Sequence, residues 1–213
     1  MTTLLMIRHG ESEANRNKIF AGNLDADLQN NGLKQAQKTA EFINDNYKVD
    51  KVYASDLKRA FKTGKCIADL LGIEIIPSRN LREISAGKWE GINFTDLAID
   101  YADDYNVWLT DIGNACCTGG ESVKHLGERV MDELTTIASA NDGKTIVIAT
   151  HATPIRAMQT LVQYGSLENM HSVPWVTNAS VTTFEYENGM WRCVKVSEDA
   201  HLSELKTELP ANV

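Results

Sequence analysis

The chain opens on an unbroken apolar run, Leu4-Leu5-Met6-Ile7, that stops at Arg8-His9-Gly10. Four apolar residues without polar alternation suit a strand covered on both faces. The reading is a strand over residues 3–8, with Gly10 allowing a sharp turn after it. Leu33, Ala36, Ala40, Ile43 and Tyr47 then recur at helical spacing over roughly 30–47, with Asn30 or Asn31 near the start. Lys51 to Ala54 reads as a short strand. Ser55 is placed to cap a helix that buries Leu57, Ala60, Phe61, Cys66, Ile67 and Leu70 and ends at Gly72. Ile73 to Ile76 is a further strand, closed by Pro77.

The segment 94–117 is acidic and irregular in period, which predicts short helices over the sheet edge. Thr118-Gly119-Gly120-Glu121 fits a turn and capping box that opens a helix to about Ala140. Thr145 to Thr150 is a buried strand, and Pro154 suits the first turn of the helix after it. Val181–Tyr186 and Trp191–Val196 flank Glu187-Asn188-Gly189-Met190 as a late antiparallel hairpin. The polar tail from Ser197 can cover a site or fray. Alternation of strand and helix predicts an α/β three-layer sandwich. Its central sheet is mainly parallel, with helices on both faces and an antiparallel edge. The expectation is one domain over 1–213, with roughly 88–122 forming a lid or insertion.

Composition narrows this picture. A chain of 213 residues can bury roughly 70% of its unfolded surface without a disulfide or metal staple. Cys66, Cys116, Cys117 and Cys193 lack Cys-x-x-Cys spacing and read as reduced thiols. A formal net charge of −8 argues against nucleic acid and anionic membranes as partners. No apolar stretch is long enough to span a bilayer, so the expected location is cytoplasmic. The oligomeric state is not written in the sequence, and a homodimer is compatible with it.

Chemistry concentrates at three strand-to-helix junctions. They hold Arg8-His9, Ser55-Asp56-Leu57-Lys58-Arg59 and Thr150-His151-Ala152-Thr153-Pro154. If the three strands are parallel, these residues meet at one end of the sheet, where helix N-termini add free N–H groups. Arg59 is informative because a cation in a first turn opposes the helix dipole by roughly 0.3–1 kcal/mol. A bound anion removes that conflict. His125, His171 and His201 lack such context and read as structural, and Trp89 and Trp108 as core or lid packing.

The ordered set Arg8-His9-Gly10-Glu11-Ser12-Glu13-Ala14-Asn15, Phe20-Ala21-Gly22, Asp25, Leu28, Gly32 and Gln35-Ala36 resembles the histidine phosphatase superfamily, the phosphoglycerate-mutase-like proteins. The resemblance continues through Ser55–Ala60, Leu81-Arg82-Glu83-Ile84, Gly87–Gly91, Gly119–Ser122, His151 and Pro154-Ile155-Arg156. It implies a nucleophile at His9 that is transiently phosphorylated, and a proton donor at Glu83. It implies a phosphate pocket of Arg8, Asn15, Arg59 and His151, with Ser12, Ala21, Gly22 and Ala152 lining the site. Ala152 stands where the family usually has glycine, and Asp27 and Gln29 replace the common Pro and Thr.

Two arginines can carry the electrostatic load that magnesium carries in kinases, so no metal and no cofactor are expected. His9 must be neutral to attack, and its other ring N–H needs an acceptor that fixes the tautomer. The leading reading is a phosphomonoester hydrolase of small-molecule phosphate esters, in the branch of small bacterial broad-specificity phosphatases. One alternative is a phosphoglycerate mutase, which needs a second anion site; between Glu90 and Asp142 the permanent cations are Lys124 and Arg129. The other is a phospholigand-binding module without turnover, which would have no need of a neutral nucleophile or an acid.

Overall fold

The N-terminal apolar run forms β1 (Thr2–Arg8) at the centre of a six-stranded sheet. The other strands are β2 (Lys51–Ser55), β3 (Ile75–Ser78), β4 (Thr145–Thr150), β5 (Val181–Glu187) and β6 (Met190–Glu198). The helices are α1 (Glu13–Asn17), α2 (Asn30–Asn46), α3 (Lys58–Leu71), α4 (Phe94–Asp100), α5 (Ala102–Thr110), α6 (Val123–Ser139) and α7 (Ala152–Tyr164). The computed structural model describes residues 1–207. Strand order is β3-β2-β4-β1-β5-β6. β3, β2, β4 and β1 run parallel, whereas β5 pairs antiparallel with both β1 and β6.

The continuous apolar run is explained by two covered faces. Leu4 and Met6 join Ile146, Ile148 and Phe184 under α6 and α7. Leu5 and Ile7 point the other way, to Ala40, Ile43, Ile67 and Ala68 of α2 and α3. This is the period of two expected of a strand. Truncating Leu5 or Met6 to Ala costs about 2–5 kcal/mol, because both are wholly buried. The hairpin turn has Asn188 at φ 51° and Gly189 at φ 80°, the primed geometry that matches strand twist.

Several local expectations need correction. Pro77 does not close β3 but lies within it, in register with Ala54; β3 is an edge strand, where a missing N–H is tolerated. Ser55 does not cap α3, whose N-cap is Leu57 without a side-chain bond. Asp25 takes that role from a distant loop, accepting from Lys58 N at 2.8 Å. The cap of α6 is Ser122, which accepts from His125 N, so the turn at 118–121 is not its capping box. Leu33 and Leu70 are 39% and 50% exposed and lie off the buried faces assigned to them. Gly10 is not at positive φ; a Cβ there would strike the Gly32 carbonyl, so close approach of α2 explains the glycine.

Candidate active site

β2, β4 and β1 are adjacent and parallel, so their carboxyl ends open on the same side. Arg8 ends β1 opposite Thr150 of β4. His9 follows Arg8, His151 is the N-cap of α7, and Arg59 is the second residue of α3. The three junctions therefore deliver two imidazoles and two guanidiniums to one place, with the His9 and His151 rings edge to face at 5.2 Å.

The tautomer of His9 is set on both sides. Nδ1 lies 2.7 Å from the Gly10 carbonyl oxygen, which can only accept, so Nδ1 carries the proton. Arg59 Nε–H donates to Nε2 at 3.3 Å, which requires a lone pair there. Burial, then Arg59, then Arg8, hold His9 well below its usual pKa, so the ring is neutral with Nε2 free to react. The Gly10 N–H in turn donates to Thr63 Oγ1 at 3.1 Å, and Asn178 Nδ2 donates to the His9 carbonyl at 2.8 Å.

Both guanidiniums are buried, and burial draws each down to about 10, still charged at neutral pH. Arg59 is clamped by the Gly22 and Leu24 carbonyls, each at 2.8 Å. Arg8 Nη1 donates to the Val176 carbonyl at 2.7 Å, while its buried Nε has no partner among the described residues. A buried unpaired donor is costly, and an anion in the cavity would relieve it. His151 is also held well below its usual value, first by burial and then by Arg59. Its Nε2 pairs with Ser55 Oγ at 2.8 Å, which is what Ser55 does instead of capping.

The cavity is lined by Arg8, His9, Ser12, Asn15, Ala21, Gly22, Arg59, Glu83 and Ala152, the residues singled out from the sequence, and by Thr153. His151 is not on its surface and touches it through His9. Ser12 caps α1 and is locked with Asn15 in a reciprocal capping box. Asn15 Oδ1 also accepts from Asn178 Nδ2 at 3.3 Å. Gly22, at φ 48°, packs against Ala86 so closely that a Cβ there would clash. The loop carrying Ala21 and Gly22 is tied to α3 by Asp25 and by Asp27, whose carboxylate meets Lys62 at 2.6 Å. The Lys62 bond holds the Asp27 carboxyl below its usual range.

Glu83 lies between two single-turn 3-10 segments, 79–81 and 87–89. Oε1 accepts from Ile84 N at 2.8 Å and Oε2 from Thr153 N at 3.3 Å. It does not pair with Arg82, which forks onto Asp56 at 2.6 and 2.7 Å. The nearby Glu90 carboxylate accepts from Asn23 N and Ala86 N and so braces the Gly22 loop.

The remaining wall is apolar and was not foreseen: Ile19, Phe20, Phe94, Trp108 and Trp175. Trp108 is both core and cavity wall, whereas Trp89 is wholly buried. Only the aromatic content of 88–122 hinted at this surface. Asn178 and Thr63 were also missed, and Thr153 stood in its junction without a role. The tail up to residue 207 does not line the cavity; Ala200–Leu205 packs on α2, where the Leu205 carbonyl accepts from Asn31 and Gln35. The end of the tail, 208–213, lies outside the described residues.

The family model for the histidine phosphatase superfamily (branch 1) matches residues 4–199. The chain is 30% identical over 208 residues to phosphoserine phosphatase 1 of Hydrogenobacter thermophilus, covering 98% of each. A solved phosphoserine phosphatase mutant from Entamoeba histolytica, in complex with phosphoserine, aligns with a TM-score of 0.84 at 28% identity, covering 95% of this chain and all of that one. The Bacillus stearothermophilus protein YhfR has the same fold, with a TM-score of 0.90 at 23% identity over 95% of this chain and 100% of its own.

Proposed function

The chain belongs to the histidine phosphatase superfamily, branch 1, and we propose that it hydrolyses small phosphomonoesters without a metal, with His9 as nucleophile and Glu83 as proton donor. The observation that carries this reading is the double constraint on His9. A proton fixed on Nδ1 by Gly10, and a lone pair on Nε2 beside a guanidinium, is the state a phosphoryl acceptor needs.

In the first step Nε2 attacks phosphorus and the bond from phosphorus to the ester oxygen breaks. Arg8 and Arg59 stabilise the charge spread over the three equatorial oxygens. Glu83, protonated, gives its proton to the departing oxygen, and the alcohol leaves. In the second step the Glu83 carboxylate takes a proton from water, which attacks the phosphohistidine. The phosphorus–nitrogen bond breaks, and inorganic phosphate and neutral His9 result. His151 positions the His9 ring from behind. Asn15, Ser12 and the Ala21, Gly22 and Ala152 backbone complete the phosphate cradle.

The test is phosphate release from an aryl phosphate in excess chelator, with an acid-labile, base-stable phosphoprotein trapped on quenching. Phosphoryl exchange on 3-phosphoglycerate without net release would instead make the chain a mutase. Tight binding of phosphate esters with neither activity would make it a binding module.

A further inference from the structure

The cavity has two chemically different ends. Its cations, among the described lining residues, are Arg8 and Arg59, and both stand beside His9 at the phosphate end. The other end is a wall of Ile19, Phe20, Phe94, Trp108 and Trp175. These rings are fixed against one another. Phe20 meets Trp108 edge-on at 5.1 Å and Phe94 at 6.1 Å, and Trp108 stacks on Trp175 at 6.2 Å with 29° between planes.

Three cations around the cavity are already engaged. Arg156 sits 4.2 Å over the Trp175 ring, pinned by the Val173 and Met170 carbonyls at 2.6 and 2.7 Å, and does not line the cavity. Its charge is used to hold an indole in place. Arg82 is forked onto Asp56, and Arg129 onto Glu121, each by two bonds. The acidic residue among the described lining is Glu83, which the reaction occupies.

We propose that this site selects phosphomonoesters of an uncharged, apolar alcohol bearing an aromatic ring, and discriminates against phosphorylated amino acids and hydroxy acids. The proposal rests on the hydrolase reading above. A carboxylate beside the phosphate would be taken from water and set against indole and phenyl faces, with no lining cation beyond the two that hold the phosphate. An aromatic ring in the same place gains area burial and edge or face contact. The substrate class thus differs from the phosphoserine in the names of the related enzymes.

The experiment compares kcat/KM for phosphate release from three alkyl esters, so that intrinsic leaving-group chemistry is held close. These are 3-phenylpropyl phosphate, propyl phosphate and phosphoserine. The expected order is phenylpropyl first, on the order of a hundredfold over phosphoserine. Trp175, half-buried at the rim, is replaced in a Trp175→Ala variant; the phenylpropyl-to-propyl ratio should fall roughly tenfold. Trp175→Phe should restore most of it. Phosphoserine turned over as fast as the phenylpropyl ester, or a ratio unmoved by Trp175→Ala, overturns the proposal and leaves the hydrolase reading standing. Release from none of the three overturns both.

Discussion

The two ends of the cavity are built on different parts of the fold. The phosphate end stands on the carboxyl ends of three adjacent parallel strands, and its side chains are held by backbone carbonyls and buried partners. The alcohol end is assembled from loops, a short helix and the longer α5, whose rings hold one another. Chemistry that must not move is placed on the sheet. The apolar wall stands on loops and short helices outside the sheet. Such a division lets one phosphoryl-transfer centre serve different alcohols.

The largest expected effect lies at the sheet end. His9→Ala should cut kcat on every ester by roughly ten-thousandfold or more, since no other group can take the phosphoryl. His9 is only 5% exposed. Its removal nonetheless enlarges a cavity rather than opening a void in the core, so Tm should hold or rise. Retained turnover would assign the nucleophile elsewhere. Glu83→Gln should come next and should sense the alcohol. The expected loss is roughly a hundred- to a thousandfold on an alkyl ester, and under about tenfold on p-nitrophenyl phosphate. Equal losses on both would remove Glu83 from the acid role.

The sheet end was also the legible end. Arg8, His9, Arg59 and His151 each follow a buried apolar run, and alternation alone puts such junctions together. Glu83 was legible only through family resemblance. It sits on an irregular stretch between two single-turn segments, where periodicity carries no information. Asn178 reaches His9 from 169 residues away, and no local pattern announces a partner so distant. The missed caps share a cause. Ser55 turns to His151, and Thr118 accepts from the Trp89 indole while donating to Asp104, so tertiary partners claim hydroxyls that local spacing assigns to helix ends. The aromatic wall was unreadable because Phe20, Phe94, Trp108 and Trp175 come from separate segments.

Arg129 stands behind the segment that carries Glu83 and sharpens the comparison with a smaller effect. All five of its N–H protons are committed, two to the Glu121 carboxylate and three to the carbonyls of Asn80, Arg82 and Glu83. It therefore positions the segment that carries Glu83 without touching the cavity. Arg129→Lys cannot reproduce that fork. It should lower stability by about 2–3 kcal/mol in urea unfolding. It should lower kcat roughly tenfold on an alkyl ester while sparing p-nitrophenyl phosphate, a weaker copy of the Glu83→Gln signature. A loss of stability with equal kinetic losses on both esters would make Arg129 a structural strut and nothing more.

The smallest effect separates the two ends by pH. His9 and His151 are held well below the ordinary imidazole value, burial being the main cause for each. In the unfolded chain each takes up a proton near pH 6.5; in the folded chain each stays neutral. Above that pH the two states bind the same protons and these histidines contribute nothing. Below it the unfolded state binds more, so folded stability falls as pH falls, by at most about 1.4 kcal/mol per pH unit for each histidine. Half-buried His201 is shifted the same way and adds to the slope. Asp27 and Asp56, held low by Lys62 and Arg82, contribute stability that is lost only further into acid, below the carboxylate range. Urea midpoints measured from pH 7 to pH 5 should therefore slope downward toward acid. His9→Ala should flatten that slope by about one proton's worth, whereas Trp175→Ala should shift the whole curve without changing its slope. If His9→Ala leaves the slope as steep as before, the imidazole at the strand end is not the buried neutral base that phosphoryl transfer from this site requires.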